Sequence, residues 1–394
     1  MRFEWRKARA GDVIEFNPSL RLPKGTLASK IAMEKLLPFT KRVDGTTTES
    51  YAGGAKFCNG DTIMARITPC LENGKTAFVD VLRDGEVGFG STEFIVLRAR
   101  PGITDKQYVY YLSISPTFRQ IAIKSMVGSS GRQRVQQSVL EDMILELPPF
   151  EEQTEIGKCL AMLDERIALN NRLNDNLEQQ AAAMFREMFV THADPSWVEG
   201  TISDLGMVVG GSTPSKAKPE YYTEHGIAWI TPKDLSVDKS KFISHGADDI
   251  TELGLQNSSA SIMPVGTVLF SSRAPIGYIA IADGDVTTNQ GFKSVVPHAH
   301  VGTAFVYYFL KNALPIIEGM ASGSTFKEIS GSAMRTVPAI IPDEAKLQTF
   351  SSFCGPLFQQ QRALEKQNRE LAAMRDALLP KLMSGEIDVS SVNI

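Results

Sequence analysis

The chain repeats itself, and this duplication constrains its fold more than any other feature of the sequence. Four short strings in the first half of the 394 residues return in the same order in the second half. The pairs are Gly60–Arg66 with Gly266–Arg273, Tyr108–Leu112 with Phe305–Phe309, Met126–Arg132 with Met320–Phe326, and Glu146–Pro149 with Ile340–Pro342. Because several matches keep one order and a similar spacing, they indicate an internal duplication in which both halves fold alike.

Each half divides into a globular segment and a helical segment. The globular segments, residues 1–148 and 195–341, are rich in Gly, Ser and Thr turns between short apolar runs. The helical segments, residues 149–194 and 342–394, carry long periodic patterns instead. The sequence therefore predicts four segments in the order globular, helical, globular, helical.

Each globular segment is predicted to be a mixed α+β domain. Phe94–Leu97 and Val265–Phe270 are apolar runs with β-branched and aromatic residues, which favour strands. Pro264–Gly266 predicts a turn at the start of the second run. Tyr108–Ile114 and Ala304–Leu310 are interpreted as short helices.

Apolar residues follow a 4–3 spacing in both helical segments, which is the pattern of a coiled-coil seam. Pro148 and Pro149 end the element before the first helix, and Asp343 suits the N-cap of the second. The seam residues, including two polar layers, are Leu160, Leu163, Ile167, Asn170, Asn174 and Leu177 in the first helix, and Leu357, Gln361, Leu364 and Leu371 in the second.

The two seams predict that the helices pair as an antiparallel coiled coil, since they are longer than one small domain would cover. That pairing brings Asn170 and Asn174 near Gln360 and Gln361. The alternative is two independent amphipathic helices, each packed on its own domain. The Gly355-Pro356 pair is expected to kink the second helix or restart it.

Composition excludes several classes of protein. The apolar content of 43% is that of a soluble globular protein, and no stretch approaches the ~18 apolar residues of a membrane-spanning helix. No apolar run follows the charged first residues, as a signal peptide requires, so we expect a cytoplasmic protein without membrane contact. The four cysteines form no Cys-x-x-Cys pair, which argues against structural zinc. The net charge is +5 for residues 1–148 and −3 for residues 195–341.

Recognisable catalytic motifs are missing from the sequence. Asn73–Thr76 resembles the end of a phosphate-binding loop, but Pro69 stands where that loop requires glycine. Asp343, Glu344 and Lys346 are the residue types of a metal-dependent nuclease site. Such sites place the Asp and the Glu-x-Lys on separate strands, whereas these residues are nearly contiguous at the start of a helix. No Gly-x-Ser-x-Gly elbow or His-Glu-x-x-His pair is present. The chain is therefore predicted to be a binding protein.

Polar and basic loops occupy corresponding places in both globular segments. Arg, Asn and Gln read base edges through paired hydrogen bonds, whereas Ser, Thr and Lys hold phosphates. Each loop alone is equally consistent with an ordinary solvated turn, but the duplicated placement favours binding. The candidate DNA-binding residues are Arg66, Thr68, Asn73, Lys75, Arg132 and Arg134 in the first segment, and Ser215, Lys216, Lys218, Lys233, Ser272, Arg273, Asn289, Gln290, Lys293 and Lys327 in the second.

The whole chain resembles the specificity subunits of type I restriction-modification systems. The resemblance rests on six short sequence segments, which in combination are specific, and it covers essentially the full length of the chain. The strings are Ala65–Lys75, Gly90–Phe94, Gly210–Lys216, Trp229–Leu235, Ser271–Gly277 and Leu378–Glu386.

The resemblance implies an α+β fold with two pseudo-repeated target-recognition domains, whose helical spacers pair as an antiparallel coiled coil. It implies a chain without catalysis that reads a split double-stranded DNA target. It also implies that the helical region docks modification subunits, two of them expected, and restriction subunits. No cofactor would bind this chain, because S-adenosylmethionine, ATP and Mg²⁺ would belong to those partners.

Two alternatives stay open at this point. One is a recognition subunit of another restriction class, in which a single partner both cuts and methylates. The other is a stand-alone nuclease or methyltransferase with a divergent site.

Overall fold

The computed structural model describes residues 5–129, 131–323 and 327–392. The chain packs as two compact units, Met1–Ala168 with Arg369–Ile394 and Leu169–Asn368. Each unit contains one globular segment and part of both helical segments. The division cuts across the four predicted segments because each globular segment packs against residues of both long helices.

The described part of the first globular segment consists mainly of short strands, with its short α-helices near the two ends of the segment. The strands are β1 (Arg6–Arg9), β2 (Ile14–Phe16), β3 (Leu27–Ile31), β4 (Thr47–Ser50), β5 (Lys56–Phe57), β6 (Thr62–Ala65), β7 (Thr76–Phe78), β8 (Gly88–Gly90), β9 (Phe94–Ala99) and β10 (Ile144–Leu147). The helices are α1 (Ala10–Val13), α2 (Lys106–Ile114), α3 (Pro116–Lys124) and α4 (Gln137–Glu141), after which the long helix α5 (Phe150–Arg186) begins.

The second globular segment follows a π-helical turn at Glu187–Thr191. Its strands are β11 (Val198–Thr201), β12 (Gly206–Gly210), β13 (Tyr222–Thr223), β14 (Ile227–Ile230), β15 (Phe242–Ile243), β16 (Asp248–Ile250), β17 (Val268–Ser272), β18 (Ile276–Ala282), β19 (Thr287–Thr288), β20 (Lys293–Pro297) and β21 (Pro338–Ile341). Its helices are α6 (Ile202–Leu205), α7 (Pro232–Val237), α8 (Glu252–Gln256), α9 (Thr303–Met320) and α10 (Gly331–Arg335), and the long helix α11 (Glu344–Met383) follows.

The sheets of the two units share a core of equivalent strands, which confirms the predicted duplication. In the first unit the orders are β2-β9-β6-β7 and β4-β3-β8-β5, and in the second they are β12-β20-β17-β18-β15 and β13-β16-β14-β19. The core includes an equivalent parallel pair, β3 with β8 and β14 with β19. The edge strands β5, β13 and β15 have no counterpart among the described strands of the other unit, and β15 adds a parallel pair with β18. In each unit the first and last strands of the globular segment also pair antiparallel, β1 with β10 and β11 with β21.

The predicted local elements are largely confirmed. The strand at Phe94–Leu97 is part of β9, and the helix at Tyr108–Ile114 is part of α2. The strand predicted from Val265 begins only at Val268, because Thr267 N–H donates to the Pro264 carbonyl at 3.2 Å and closes the turn. Helix α9 continues well beyond the predicted end at Leu310.

The two long helices pair antiparallel, as predicted. Within the second unit, Asn170 Nδ2 donates to Gln367 Oε1 and Asn368 Oδ1 at 2.8 and 2.9 Å, while Gln361 Nε2 donates to the Asn174 carbonyl at 3.2 Å. The predicted meeting of Asn174 with Gln361 is therefore confirmed. The predicted meeting of Asn170 with Gln361 is wrong, because the register of the two helices places Asn170 at Gln367 and Asn368. Gln361 Oε1 instead accepts from Lys241 Nζ at 2.8 Å.

The remaining seam residues differ in burial. Leu160 and Leu163 are fully buried and Leu177 is 5% exposed. Ile167, Leu357, Leu364 and Leu371 are half-buried.

Helix α11 runs through Gly355 and Pro356 without a break, so the predicted restart does not occur. Proline at position 356 removes the hydrogen bond that its N–H would donate to the carbonyl of Ser352. Gly355 is half-buried, but Pro356 and Ser352 are exposed, so water can take the place of that bond. Among the described helices, none combines the length and apolar composition that a membrane span requires.

Candidate nucleic-acid interface

The first candidate loop starts where β6 ends and is tied to a second loop. The N–H of Arg66 donates to the Glu93 carbonyl at 2.9 Å, and its Nη2 donates to the Val135 carbonyl at 3.3 Å. Thr68 and Gln133 exchange two hydrogen bonds of 3.0 Å, one of them to the Thr68 hydroxyl. Arg66 and Thr68 are thereby fixed in half-buried positions, with Arg66 lining a cavity of about 320 Å³.

The tip of this loop is held by two residues that were not predicted. Phe39 has a φ of 53° and lies on Gly74, where an added Cβ would come within 2.6 Å of its ring. The Arg119 guanidinium lies 5.0 Å from the centroid of the Phe39 ring and donates to the carbonyls of Leu71 and Glu72 at 3.2 and 3.3 Å. Since Phe39 is 58% exposed, the loop presents an aromatic ring beside its polar residues.

The other two candidates of this loop differ in availability. Lys75 Nζ donates to the Met33 carbonyl at 3.0 Å, which engages its ammonium group with the backbone. Asn73 is exposed at the tip.

The second loop of the first unit is a short hairpin. Val127 and Arg134 bridge its base through two backbone hydrogen bonds of 2.9 and 3.0 Å, and Arg132 is exposed within it. Arg134 donates from Nε to Glu93 Oε2 at 2.9 Å and from Nη2 to Glu93 Oε1 at 2.7 Å. These bonds lower the pKa of Glu93 and raise that of Arg134, so the pair stays charged.

In the second unit, one loop and one helix present exposed basic residues. Ser215 and Lys216 are exposed, and Lys218 Nζ lies 5.2 Å from the centroid of the Tyr221 ring. Lys233 is exposed on α7. These are flexible cationic side chains of the kind that contact phosphates.

Asn289 and Gln290 hold the shape of the neighbouring loop. Asn289 Oδ1 accepts the Gly291 N–H at 2.8 Å, and the Thr213 hydroxyl donates to Gln290 Oε1. The side-chain oxygens of both predicted base readers are therefore occupied within the protein.

The remaining candidates of the second unit gather at Glu328. Ser272 is fully buried, and its hydroxyl donates to Glu328 at 3.5 Å. Arg273 Nη1 lies 3.4 Å from Glu328 Oε2, and Lys293 Nζ lies 3.7 Å from Oε1. Lys327 is exposed next to this cluster.

The exposed basic candidates without an ion pair among the described residues are Arg132, Lys216, Lys218, Lys233 and Lys327. Ser130 and residues 324–326, which belong to the predicted loops, lie outside the described residues. Each unit thus offers free cations on its surface and further cations held by a carboxylate.

Each unit contains a buried lysine that was not predicted from the sequence. Lys41 is 8% exposed, lies 5.1 to 5.7 Å from the ring centroids of Phe78, Tyr110 and Tyr111, and donates to the Tyr111 hydroxyl at 3.3 Å. The Tyr111 hydroxyl donates to Asp164 of α5 at 2.5 Å. Burial lowers the pKa of Lys41.

The second unit repeats this arrangement with different partners. Lys241 is 7% exposed, lies 4.2 Å from the centroid of the Phe358 ring and is ion-paired with Glu178 of α5. The Tyr308 hydroxyl and Lys311 Nζ also donate to Glu178, at 2.8 and 2.6 Å. In both units, a lysine and a tyrosine of the globular segment therefore meet a carboxylate of the first long helix.

The lowered pKa of Glu178 predicts that the protein loses stability in acid. Burial alone would raise the pKa of Glu178, but Lys241 and Lys311 outweigh it and lower the pKa to about 2. Because the pKa of Glu178 is lower in the folded state than its unfolded value near 4.5, the charged carboxylate stabilises the folded state at pH values above 4.5. This contribution is lost as the pH falls towards 2. Burial also lowers the pKa of Lys241, but this lysine is charged in folded and unfolded states at acid pH and adds no slope there.

We expect the difference in free energy of unfolding between the wild type and Glu178→Gln to decrease by about 3 kcal/mol from pH 5 to pH 2. Urea unfolding of both proteins at each pH measures it. A constant difference across this range would contradict the assignment.

The family model described as the type I restriction modification DNA specificity domain matches residues 3–179 and 195–371. The two matches cover most of the chain and follow its internal duplication, so the protein belongs to the family of type I restriction-modification DNA specificity subunits.

Named relatives carry the same description. The chain is 38% identical over 192 residues to the type I restriction enzyme MjaIX specificity subunit of Methanocaldococcus jannaschii, which is 48% of this chain and 44% of that protein. It is 24% identical over 408 residues to the HindI specificity subunit of Haemophilus influenzae, covering 83% and 86% of the two chains. The crystal structure of a type I restriction-modification S subunit from M. genitalium shares the fold, with a TM-score of 0.56, 18% identity and coverage of 97% and 96%.

Proposed function

We propose that this chain selects the DNA sequence on which a type I restriction-modification complex acts. The observation that carries the proposal is the double match to the DNA specificity domain, one copy for each half. The exposed cations of both units, Arg132 in the first and Lys216, Lys218, Lys233 and Lys327 in the second, suit contacts with a phosphate backbone.

Each unit would read one half of a split double-stranded target. Both units share the core strand order of their sheets, and each carries one of its candidate loops after an equivalent strand, β6 or β17. The loops themselves differ in sequence, and the globular segments differ in net charge, +5 against −3. The two half-sites are therefore expected to differ in sequence.

Catalysis would belong to partner subunits. The sequence lacks the acid/base, phosphate-loop and metalloprotease motifs considered above. The modification subunits, two of them expected, and the restriction subunits would dock on the long helices. S-adenosylmethionine, ATP and Mg²⁺ would bind to those partner subunits and not to this chain.

The purified chain alone is expected neither to methylate nor to cleave DNA. Adding the modification subunits with S-adenosylmethionine should give methylation at one sequence made of two separated parts. Single-turnover methyl transfer to random and host DNA, read by sequencing the methylated positions, measures both. Methylation by the chain alone would contradict the proposal, and methylation at one undivided site would contradict the split target.

A further inference from the structure

Each unit carries an ion pair with one member at an equivalent backbone position, and this member has the opposite charge in the two units. In the first unit Arg134 forms bridges with Ile67 and Val127, and in the second Glu328 forms the corresponding bridges with Arg273 and Ser322. Position 134 is thus equivalent to position 328. One unit places the basic member of the pair there, and the other places the acidic member.

The first pair fixes the plane of a guanidinium group. Arg134 gives Nε and Nη2 to the two oxygens of Glu93, which is the forked geometry of an arginine–carboxylate pair. Arginine has five N–H donors, so the Nη1 group remains for another acceptor. The Arg134 side chain is 46% exposed, so that acceptor can come from solution.

The second pair is longer and holds two cations with one carboxylate. Arg273 and Lys293 approach different oxygens of Glu328 at 3.4 and 3.7 Å. Lys293 is only 15% exposed, whereas Arg273 is 38% exposed. Arg273 is therefore the member that a ligand can reach.

We propose that Glu93 and Glu328 are specificity-determining positioning residues, which orient Arg134 and Arg273 towards base edges and hold them away from the phosphate backbone. The inference rests on the proposed DNA recognition and deepens it. A restrained arginine presents donors in one direction, as paired hydrogen bonds to a guanine edge require. A free arginine would instead follow the phosphates of any sequence.

Glu93 and Glu328 should weaken binding to unrelated DNA more than binding to the target. On unrelated DNA, a phosphate that binds Arg134 or Arg273 either displaces the paired carboxylate or lies close to its negative charge, and both weaken the contact. On the target, the arginine keeps its carboxylate and gains a base. Removing the carboxylate should therefore strengthen unrelated binding more than target binding.

The test uses the full chain assembled with its modification subunits, as wild type, Glu93→Gln and Glu328→Gln. Binding to a target duplex and to an unrelated duplex of equal length is measured over a range of salt. For unrelated DNA we expect Glu93→Gln to bind about three- to ten-fold more tightly, with a slope of log K against log salt steeper by about one. Glu328→Gln should also steepen the slope by about one, since of its two cations only Arg273 is within reach of DNA. In both variants the ratio of target to unrelated affinity should fall.

Two controls separate this role from a change of net charge. Glu72, an exposed glutamate of the loop at 66–75 without an ion pair among the described residues, loses the same charge in Glu72→Gln and should leave the affinity ratio unchanged. In an Arg134→Gln background, Glu93→Gln should no longer steepen the slope. Both paired carboxylates are partly exposed, so their substitution should leave the fold intact, which circular dichroism checks.

The inference is overturned if both variants keep the wild-type slope and affinity ratio, or if Glu72→Gln reproduces their effect. A wild-type complex that does not distinguish target from unrelated DNA would overturn the proposed function itself.

Discussion

Replacing Asp164 by alanine is expected to lower the free energy of unfolding of the first unit by about 3–5 kcal/mol. Asp164 is 8% exposed and accepts hydrogen bonds from the Tyr111 hydroxyl at 2.5 Å and from Arg375 Nη1 at 2.6 Å. The substitution leaves the Arg375 guanidinium, itself 9% exposed, with Asp376 as its remaining ion-pair partner. The Asp376 side chain is 63% exposed and compensates the buried charge only in part. Lys41, which reaches the same cluster through Tyr111, loses the nearest negative charge as well.

The chain contains a matched control for this substitution. Asp376 is also ion-paired with Arg375, at 2.8 Å, but its side chain is 63% exposed. Asp376→Ala should therefore change the free energy of unfolding by about 0–1 kcal/mol. Urea denaturation of both variants, followed by circular dichroism, measures the difference. Equal effects of the two substitutions would show that burial of the Asp164 pair does not matter.

Exchanging residues 1–148 for the same segment of a relative with another target is expected to change one half of the methylated sequence. Each mismatched base pair typically costs about 1–3 kcal/mol of binding, so the original half-site should lose its advantage entirely. The junction falls between β10, which pairs with β1, and the first residue of α5, so the exchanged segment closes on itself. The donor should keep a lysine and a tyrosine at the positions of Lys41 and Tyr111, since these contact the retained helix.

Sequencing of methylated positions in a host that carries the exchanged protein measures this outcome. The reciprocal exchange of residues 195–341 should change the other half alone. A change in both halves, or in neither, would show that the globular segments do not read DNA independently.

The parts of this fold that depend on local periodicity were predictable from the sequence. The repeated strings predicted that both halves fold alike, and the 4–3 spacing predicted the long helices α5 and α11 and their antiparallel pairing. The N-cap at Asp343 was predicted as well, and its carboxylate accepts the Lys346 N–H at 2.9 Å. Such features depend on residues that are neighbours along the chain.

The parts that depend on distant partners were not predictable. Lys41 and Lys241 read as ordinary surface lysines, because the rings and carboxylates that surround them lie far away in sequence. Asn170 has a different partner from the predicted one, because the register of α5 against α11 depends on residues 197 and 198 positions apart. Among the candidate DNA-binding residues, nothing in the sequence indicated that Ser272 is buried or that Glu93 holds Arg134.

The composition of the two units also sets an order of events during translation. The second unit is one continuous stretch, Leu169–Asn368, whereas the first unit includes residues from Arg369 onward, which the ribosome adds later. Leu379 and Leu382 share a buried cluster with Ile156 and Leu160, so this face of α5 stays uncovered until they emerge.

At about 5–20 residues per second, the second unit's roughly 200 residues impose a delay on the order of 10–40 s. Domains generally fold in the order of their synthesis, but here the part begun first is the part completed last. During that interval, the open apolar face of the nascent first unit is a binding surface for chaperones.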